Sequence, residues 1–321
     1  MKETLIIIVA LVLGLLVAIE LGLRSLFGFG NPLIYIQDEK IGYLLAPNQR
    51  TRRFGNRIEI NEYSMRSGSI AKIPQPLTLR VLLLGDSIAN GGWWTDQANT
   101  ISSLLTNSLG SLTHHQQIEV LNASANSWSP RNELAYLQKF GTFNAQVVVL
   151  LINTDDLFGI APTSLPVGRD INYPDRKPPL AMAEAIQRYL LKPKPIPEMA
   201  ELHQEKGDRV GIILEAIGQI KTFTQEKNCQ LILAMTPLLR EIGEPVPRDY
   251  EIIARQRLQD LTKSQKITYI DFLPIFNAFP NPQSLYHDHI HMNLKGNQLV
   301  SQELERSLRE LLSLGNPQND L

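Results

Sequence analysis

Serine, histidine and aspartate are the side chains that nucleophilic acyl transfer requires. This chain offers them in two short pieces far apart in sequence. The first is Gly85-Asp86-Ser87-Ile88, directly after the apolar run Val81-Leu82-Leu83-Leu84. The second is Asp288-His289-Ile290-His291, just ahead of a helical pattern near the C-terminus. A serine that follows a strand and opens the next helix exposes its hydroxyl at the sheet edge, among backbone N–H groups that favour developing negative charge. The hydroxyl is a weak nucleophile until a base takes its proton, and His291 is the candidate base. Asp288, three residues earlier, is placed to bond the other ring nitrogen and fix the tautomer. Asp86 reads as a brace for the turn. The same histidines also carry a metal reading, since His287, His289 and His291 alternate with Asp288 close by.

Elements able to position these pieces are visible around them. From residue 80 onward short aliphatic runs recur at Val81–Leu84, Ile118–Leu121, Val147–Ile152, Leu231–Met235 and Ile267–Ile270. They lack polar alternation, as strands buried on both faces do. Helical patterns separate them: Ile101, Leu104, Leu105 and Leu109 share a face, as do Ile213, Ala216, Ile217 and Ile220, then Ala254, Leu258 and Leu261. Ser129-Pro130 opens another helix that Gly141 can end, and a last one runs through Val300, Leu304, Leu308 and Leu311, with Gly315 and Pro317 as stop signals. The alternation predicts an α/β fold around a parallel sheet, whose ligands bind at the carboxyl ends of the strands. Both chemical motifs fall there.

Two stretches stand outside this rhythm. Leu5 to Ile19 is uninterrupted apolar sequence, and Leu21-Gly22-Leu23 resumes it after Glu20. Its length suits a marginal membrane span or a signal h-region, and Val17-Ala18-Ile19-Glu20 is a poor cleavage site, so residues 1–29 read as an uncleaved signal anchor. Lys2 before the run and Arg24 and Lys40 after it leave the orientation open. Residues 30–78 read as a polar lead-in with one strand-like alternation at Arg57-Ile58-Glu59-Ile60-Asn61, and its basic cluster, Arg50, Arg52, Arg53 and Arg57, reads as a solvated face, with contact to lipid headgroups the alternative. Residues 158–206, rich in proline and leaving the third strand near the motifs, read as an insertion or lid on the substrate side. Residues 79–315 would then be the catalytic domain and 316–321 a tail.

The 321 residues carry a formal net charge of −1 and an ordinary apolar fraction of 43%, which gives no argument for a nucleic-acid partner. The single cysteine, Cys229, beside an apolar run, reads as a buried structural thiol. His114 and His115 sit in a polar loop with no assigned role.

Together the two motifs resemble the SGNH, or GDSL-type, hydrolases, a family of esterases, lipases, thioesterases and carbohydrate acetylesterases. The resemblance covers about residues 79–313. It implies a three-layer α/β/α sandwich on a five-stranded, mostly parallel sheet of flavodoxin-like kind, with Ser87 as nucleophile and Asp288 and His291 completing a triad. The family's second block carries a glycine whose N–H helps hold the oxyanion; in Val120-Leu121-Asn122-Ala123-Ser124-Ala125-Asn126-Ser127-Trp128 that position falls on Asn126, or on Ser127 with a shift of one. The third block, Gly-x-Asn-Asp, corresponds to Asn153-Thr154-Asp155-Asp156, with Asp155 where the oxyanion-binding asparagine belongs and Asn153 or Asn126 as substitute donors. Trp93 and Trp94 either line the pocket or pack elsewhere. The resemblance implies a serine-dependent hydrolase of acyl or carbohydrate O-acetyl esters, with a small-molecule, lipid or glycan ester as substrate and no cofactor. An O-acyltransferase acting on an envelope glycan and a non-catalytic binding protein of the same fold are the alternatives. With the N-terminal helix, the expected location is the membrane, single-pass, with the catalytic domain extracytoplasmic.

Overall fold

The computed structural model describes residues 1–110, 117–244 and 246–312. His114, His115, the Gly315 and Pro317 stop signals and the 316–321 tail lie outside the described residues.

The apolar N-terminal run forms helix α1 (Lys2–Gly22), which continues through a π turn at Leu23–Phe27 and stops at Gly28. No residue of α1 is buried, and the segment is long and apolar enough to cross a membrane, with a mean hydropathy of 2.9. Two antiparallel hairpins follow: β1 (Tyr35–Asp38) with β2 (Gly42–Leu45), and β3 (Gln49–Arg53) with β4 (Asn56–Ile60).

The main sheet begins with β5 (Thr78–Gly85). After it come α2 (Ser87–Asn90), α3 (Ile101–Gly110), β6 (Gln117–Ser124), α4 (Pro130–Phe140) and β7 (Val147–Asn153). Then follow α5 (Ala181–Tyr189), α6 (Pro197–His203), α7 (Arg209–Glu226), β8 (Gln230–Thr236), α8 (Asp249–Ser264), β9 (Thr268–Asp271), α9 (Phe272–Asn277) and α10 (Leu294–Leu312). The strand order is β6-β5-β7-β8-β9, with every pair parallel.

Side chains alternate across each strand, so the sheet divides the core in two. Leu82, Leu84, Val148 and Leu150 pack with Tyr136 and Leu137 of α4, Ile213 and Ile217 of α7 and Leu258 of α8. Val81, Leu83, Val149 and Leu151 pack with Ile101 and Leu105 of α3, Phe272 of α9 and Val300 and Leu304 of α10. This is the α/β/α sandwich expected. The chain turns to opposite sides of β5 on its way to β6 and β7, and the crevice at such a switch point is where the fold binds ligands.

The 30–78 segment differs from the polar lead-in expected. Tyr43, Leu45, Ile58, Ile60 and Met65 are buried in the same core cluster as α4 and α7. In the first hairpin Tyr43, Leu44 and Leu45 are all buried, whereas β4 alternates, with Ile58 and Ile60 inward and Arg57 and Glu59 between them masking the row. The basic cluster is likewise only partly solvated. Arg50 pairs with Glu59 and Arg57 with Asp96, but Arg53 is buried, bonded to Glu184 and stacked 4.1 Å above the Phe29 ring. Cys229 is buried as expected.

Candidate active site

The elbow that carries Ser87, the candidate nucleophile, is built by β5 running directly into α2. Asp86 caps the helix by accepting a hydrogen bond from the Ile88 amide at 2.8 Å, which is the bracing role expected for it. Gly85 is required here: a Cβ would stand 2.6 Å from the Leu151 carbonyl oxygen of β7. Ser87 follows at the first position of α2.

The C-terminal piece folds as a tight loop ahead of α10. Asp288 Oδ1 accepts from the Ile290 and His291 amides at 2.9 and 2.8 Å, and its Oδ2 lies 2.8 Å from His291 Nδ1. His291 Nε2 lies 2.9 Å from Ser87 Oγ. Ser87, His291 and Asp288 therefore form one hydrogen-bonded chain across 204 residues of sequence. Partial burial would raise the Asp288 carboxyl, but the His291 and Ile290 amides and the His291 ring outweigh it, and the group sits below its ordinary range. Asp288 is therefore ionised wherever His291 works as a base.

His287 and His289 do not join this chain. The His287 ring stacks on Trp94 at 5.9 Å, and the His289 side chain is exposed. Among the described residues no three His, Cys, Asp or Glu side chains converge as a metal site would require. Trp94 lies against His291, ring centroids 4.3 Å apart, and so walls the cavity next to that ring. The loop that carries it is pinned by Arg66, a fully buried residue of the 30–78 segment, which donates to the carbonyls of Asn90, Gly92 and Thr95.

The oxyanion candidates separate into distinct environments. Ser127 has the left-handed backbone, φ +58°, that a glycine would adopt freely, whereas Asn126 does not. Ser127 thus occupies the geometry of the second block's glycine. Tyr173 OH donates to Ser127 Oγ at 2.8 Å and Tyr43 OH donates to the Asn126 carbonyl, fixing the loop. The Ser87 and Ser127 amides donate to no described residue. Asn153 is buried, and its side-chain N–H groups are committed to Asp86 at 2.8 Å and Asp156 at 3.0 Å, which leaves none for an oxyanion. Asp155 is exposed in the cleft, and its carboxylate accepts no hydrogen bond from the described residues. Partial desolvation raises its carboxyl above the ordinary range and Arg240 opposes that rise.

Behind the elbow lies an acidic interior. Burial pushes the carboxyls of Asp86, Asp156 and Glu133 up, and their mutual repulsion pushes Asp156 and Glu133 further. Glu133 of α4 is fully buried, and neither carboxyl oxygen has a hydrogen-bond partner among the described residues. In the fold it holds a proton that the unfolded chain releases above about pH 4.5. Stability therefore falls as pH rises from there to the folded-state pKa. Glu133→Gln escapes this loss. Its unfolding free energy relative to wild type should gain about 1.4 kcal/mol per pH unit over that window and nothing below about pH 4. Denaturant melts at a series of pH values check this; a difference that is flat with pH contradicts it.

Two cavities meet at Ser87. One, of about 370 Å³, is lined by Trp93, Trp94, Ser127, Tyr173 and His291 together with Leu33 and Ile58 of the 30–78 segment. The other, of about 440 Å³, is lined by Asp155, Ile160, Met199 and His203, so the proline-rich insertion forms its wall. The contribution of residues 30–78 to the first cavity was not foreseen. Only the tryptophan pair beside the nucleophile hinted at that wall.

The profile of the GDSL-like lipase/acylhydrolase family matches residues 83–299. Solved structures of related shape include an acetyl xylan esterase, AlAXEase, at 15% identity and a TM-score of 0.49, covering 72% of this chain and 100% of that one. The acetylxylan esterase Axe2 from Geobacillus stearothermophilus is 14% identical with a TM-score of 0.49, covering 74% and 96% of the two chains. A lipase/acylhydrolase from Enterococcus faecalis is 16% identical with a TM-score of 0.46, covering 73% and 96%. Similarity at this level says nothing about substrate. No curated protein matches the sequence. With the profile spanning both the Ser87 elbow and the Asp288–His291 loop, the chain belongs to the GDSL-like lipase/acylhydrolase family.

Proposed function

We propose that this protein is a membrane-anchored serine esterase that works through an acyl-enzyme, with its catalytic domain outside the cytoplasm. The observation that carries the reading is the approach of His291 Nε2 to Ser87 Oγ, 2.9 Å, while Nδ1 is held by Asp288. In the proposed cycle His291 takes the Ser87 proton as Oγ attacks the ester carbonyl. The tetrahedral oxyanion is met by the Ser87 and Ser127 amides. The alcohol leaves with the proton from His291, and water activated by the same ring releases the acid. The exposed apolar α1 supports the anchor.

The test is turnover of p-nitrophenyl acetate by the full chain, with and without a fluorophosphonate. The expected result is hydrolysis that the probe abolishes by modifying Ser87. Absence of both turnover and labelling would favour a binding role instead. Acyl transfer to a hydroxyl acceptor is the second reading, favoured by the two cavities that share Ser87, one for each partner of a transfer.

Asp155 sets the rate in this account. If Asp155, which lines a cavity with Ser87, takes the place of the family's oxyanion asparagine, its ionised carboxylate repels the developing charge and an amide there would donate to it. Asp155→Asn should raise kcat on p-nitrophenyl acetate about tenfold, equivalent to about 1.4 kcal/mol of transition-state stabilisation. Its thermal stability should be unchanged, because the carboxylate accepts no hydrogen bond from the described residues. A fall in kcat would show that the carboxylate has a role of its own.

A further inference from the structure

The end of the apolar helix is fastened to the catalytic domain, with no free linker between them. α5 has no side-chain cap of its own; its first amides, Ala181 and Met182, donate to the Glu20 carboxylate of α1 at 2.8 and 3.0 Å. Arg24 bonds Glu20 at 2.7 Å and the Pro179 carbonyl at 3.0 Å. The chain then turns at Gly28, φ +76°, where a Cβ would stand 1.9 Å from the Arg52 carbonyl oxygen, and the Phe54 amide donates to the Phe27 carbonyl at 3.0 Å. A helix so held sets the domain at one orientation to any bilayer it crosses, with α5 and the β3–β4 turn nearest the lipid.

Those nearest surfaces are apolar. Ile186, Tyr189 and Leu190 lie at the i, i+3, i+4 spacing of one helix face, and that face of α5 is turned to solvent, with Leu190 76% and Tyr189 65% exposed. Leu191 extends the stripe, and exposed Lys192 and Lys194 follow it, the arrangement of an interfacial helix with basic residues at headgroup level. Phe54 sits at a turn with a left-handed backbone, φ +46°, and presents a ring 40% exposed beside the half-exposed Trp93. The rings are continuous: Phe29 touches Tyr189 at 6.1 Å, Phe29 touches Phe54 at 5.8 Å, Phe54 touches Trp93 at 5.2 Å, and Trp93 touches Trp94 at 5.7 Å. Trp94 reaches His291. The aromatic row thus leads from the foot of the apolar helix to the His291 ring, and its last members, Trp93 and Trp94, line the cavity of about 370 Å³.

We infer that this face lies in the headgroup layer of the bilayer that α1 crosses, and that the cavity receives an ester carried by a membrane-resident amphiphile. The inference rests on the esterase reading for its second half only. Aromatic and apolar side chains at the interface, flanked by lysines, hold the cavity mouth at the depth where such an ester would present its carbonyl.

The test uses the full chain, with buried Cys229 replaced by Ala, in vesicles of phosphatidylcholine and phosphatidylglycerol at about 3:1. A nitroxide at Leu190→Cys should show oxygen access of bilayer type, and one at Glu226→Cys, near the opposite end of the sheet, access of aqueous type. Equal aqueous access at both positions overturns the docking, whatever the enzyme's activity. Acetate release is then followed from hexadecyl acetate in the vesicles and from p-nitrophenyl acetate in water. In Leu190→Glu/Leu191→Glu the first should fall about tenfold or more and the second stay within about twofold. Unchanged release from hexadecyl acetate overturns the supply of substrate from the bilayer. Wild-type protein inactive on both esters would instead sink the esterase reading, leaving the spin-label result to decide the docking.

Discussion

Ser87→Ala should lower kcat on p-nitrophenyl acetate about 10⁴-fold or more, with no loss of stability. The hydroxyl is the only group lost, and the oxyanion amides and the cavity remain, so the residual rate reflects their contribution alone. Ser87 Oγ makes its hydrogen bonds to His291 and, at 3.3 Å, to Asp86, and helix α2 keeps its cap because that bond runs from Ile88 to Asp86. Steady-state kinetics beside a thermal melt check the prediction. Turnover retained in the variant would mean that another group attacks the ester.

Asp288→Asn should be nearly as severe, about 10⁴-fold in kcat, for a different reason. The wild-type carboxylate accepts three hydrogen bonds, two amides on Oδ1 and the His291 ring on Oδ2. An asparagine keeps both amides satisfied only with its carbonyl oxygen at the Oδ1 place. Its NH₂ then faces His291 Nδ1 and makes that nitrogen an acceptor. The ring proton moves to Nε2, which can no longer take the proton of Ser87. Binding is untouched, so KM should change little. The pH dependence follows from the lowered carboxyl of Asp288. A depressed acid contributes its stabilisation above its unfolded value of about 4 and loses it as pH falls through the lower folded value. The loop should therefore hold His291 in place down to below about pH 4. Steady-state kinetics and a melt series in acid measure both effects; a variant with near-normal kcat would contradict the tautomer argument.

The candidate site was legible only as a combination. A serine between a buried strand and a helix can be a helix cap, and an aspartate three residues before a histidine can be half of a metal site, but the two together in an α/β chain single out the residues that the fold brings within 2.9 Å. The five central strands were legible because burial on both faces leaves an unbroken aliphatic run. The strands Tyr35–Asp38 and Asn56–Ile60 were harder to read, since only part of each faces the core. Arg53 and Arg66 defeat composition altogether: their burial is made possible by partners remote in sequence, Glu184 for the first and the carbonyls of residues 90–95 for the second. At the second block, a glycine would have announced the left-handed position, whereas Ser127 hides it until the backbone is seen. Asn153 looked like a free donor because sequence does not reveal that Asp86 and Asp156 occupy it.

The central claim is that Ser87 carries the acyl group during turnover. The most direct measurement is an acid quench of the full chain within its first turnovers on p-nitrophenyl acetate, followed by peptide mass mapping. The account predicts one acetyl group on the peptide that contains Ser87, absent in Ser87→Ala and accumulating no faster than p-nitrophenol appears. Turnover with Ser87 unmodified at every quench time would contradict it.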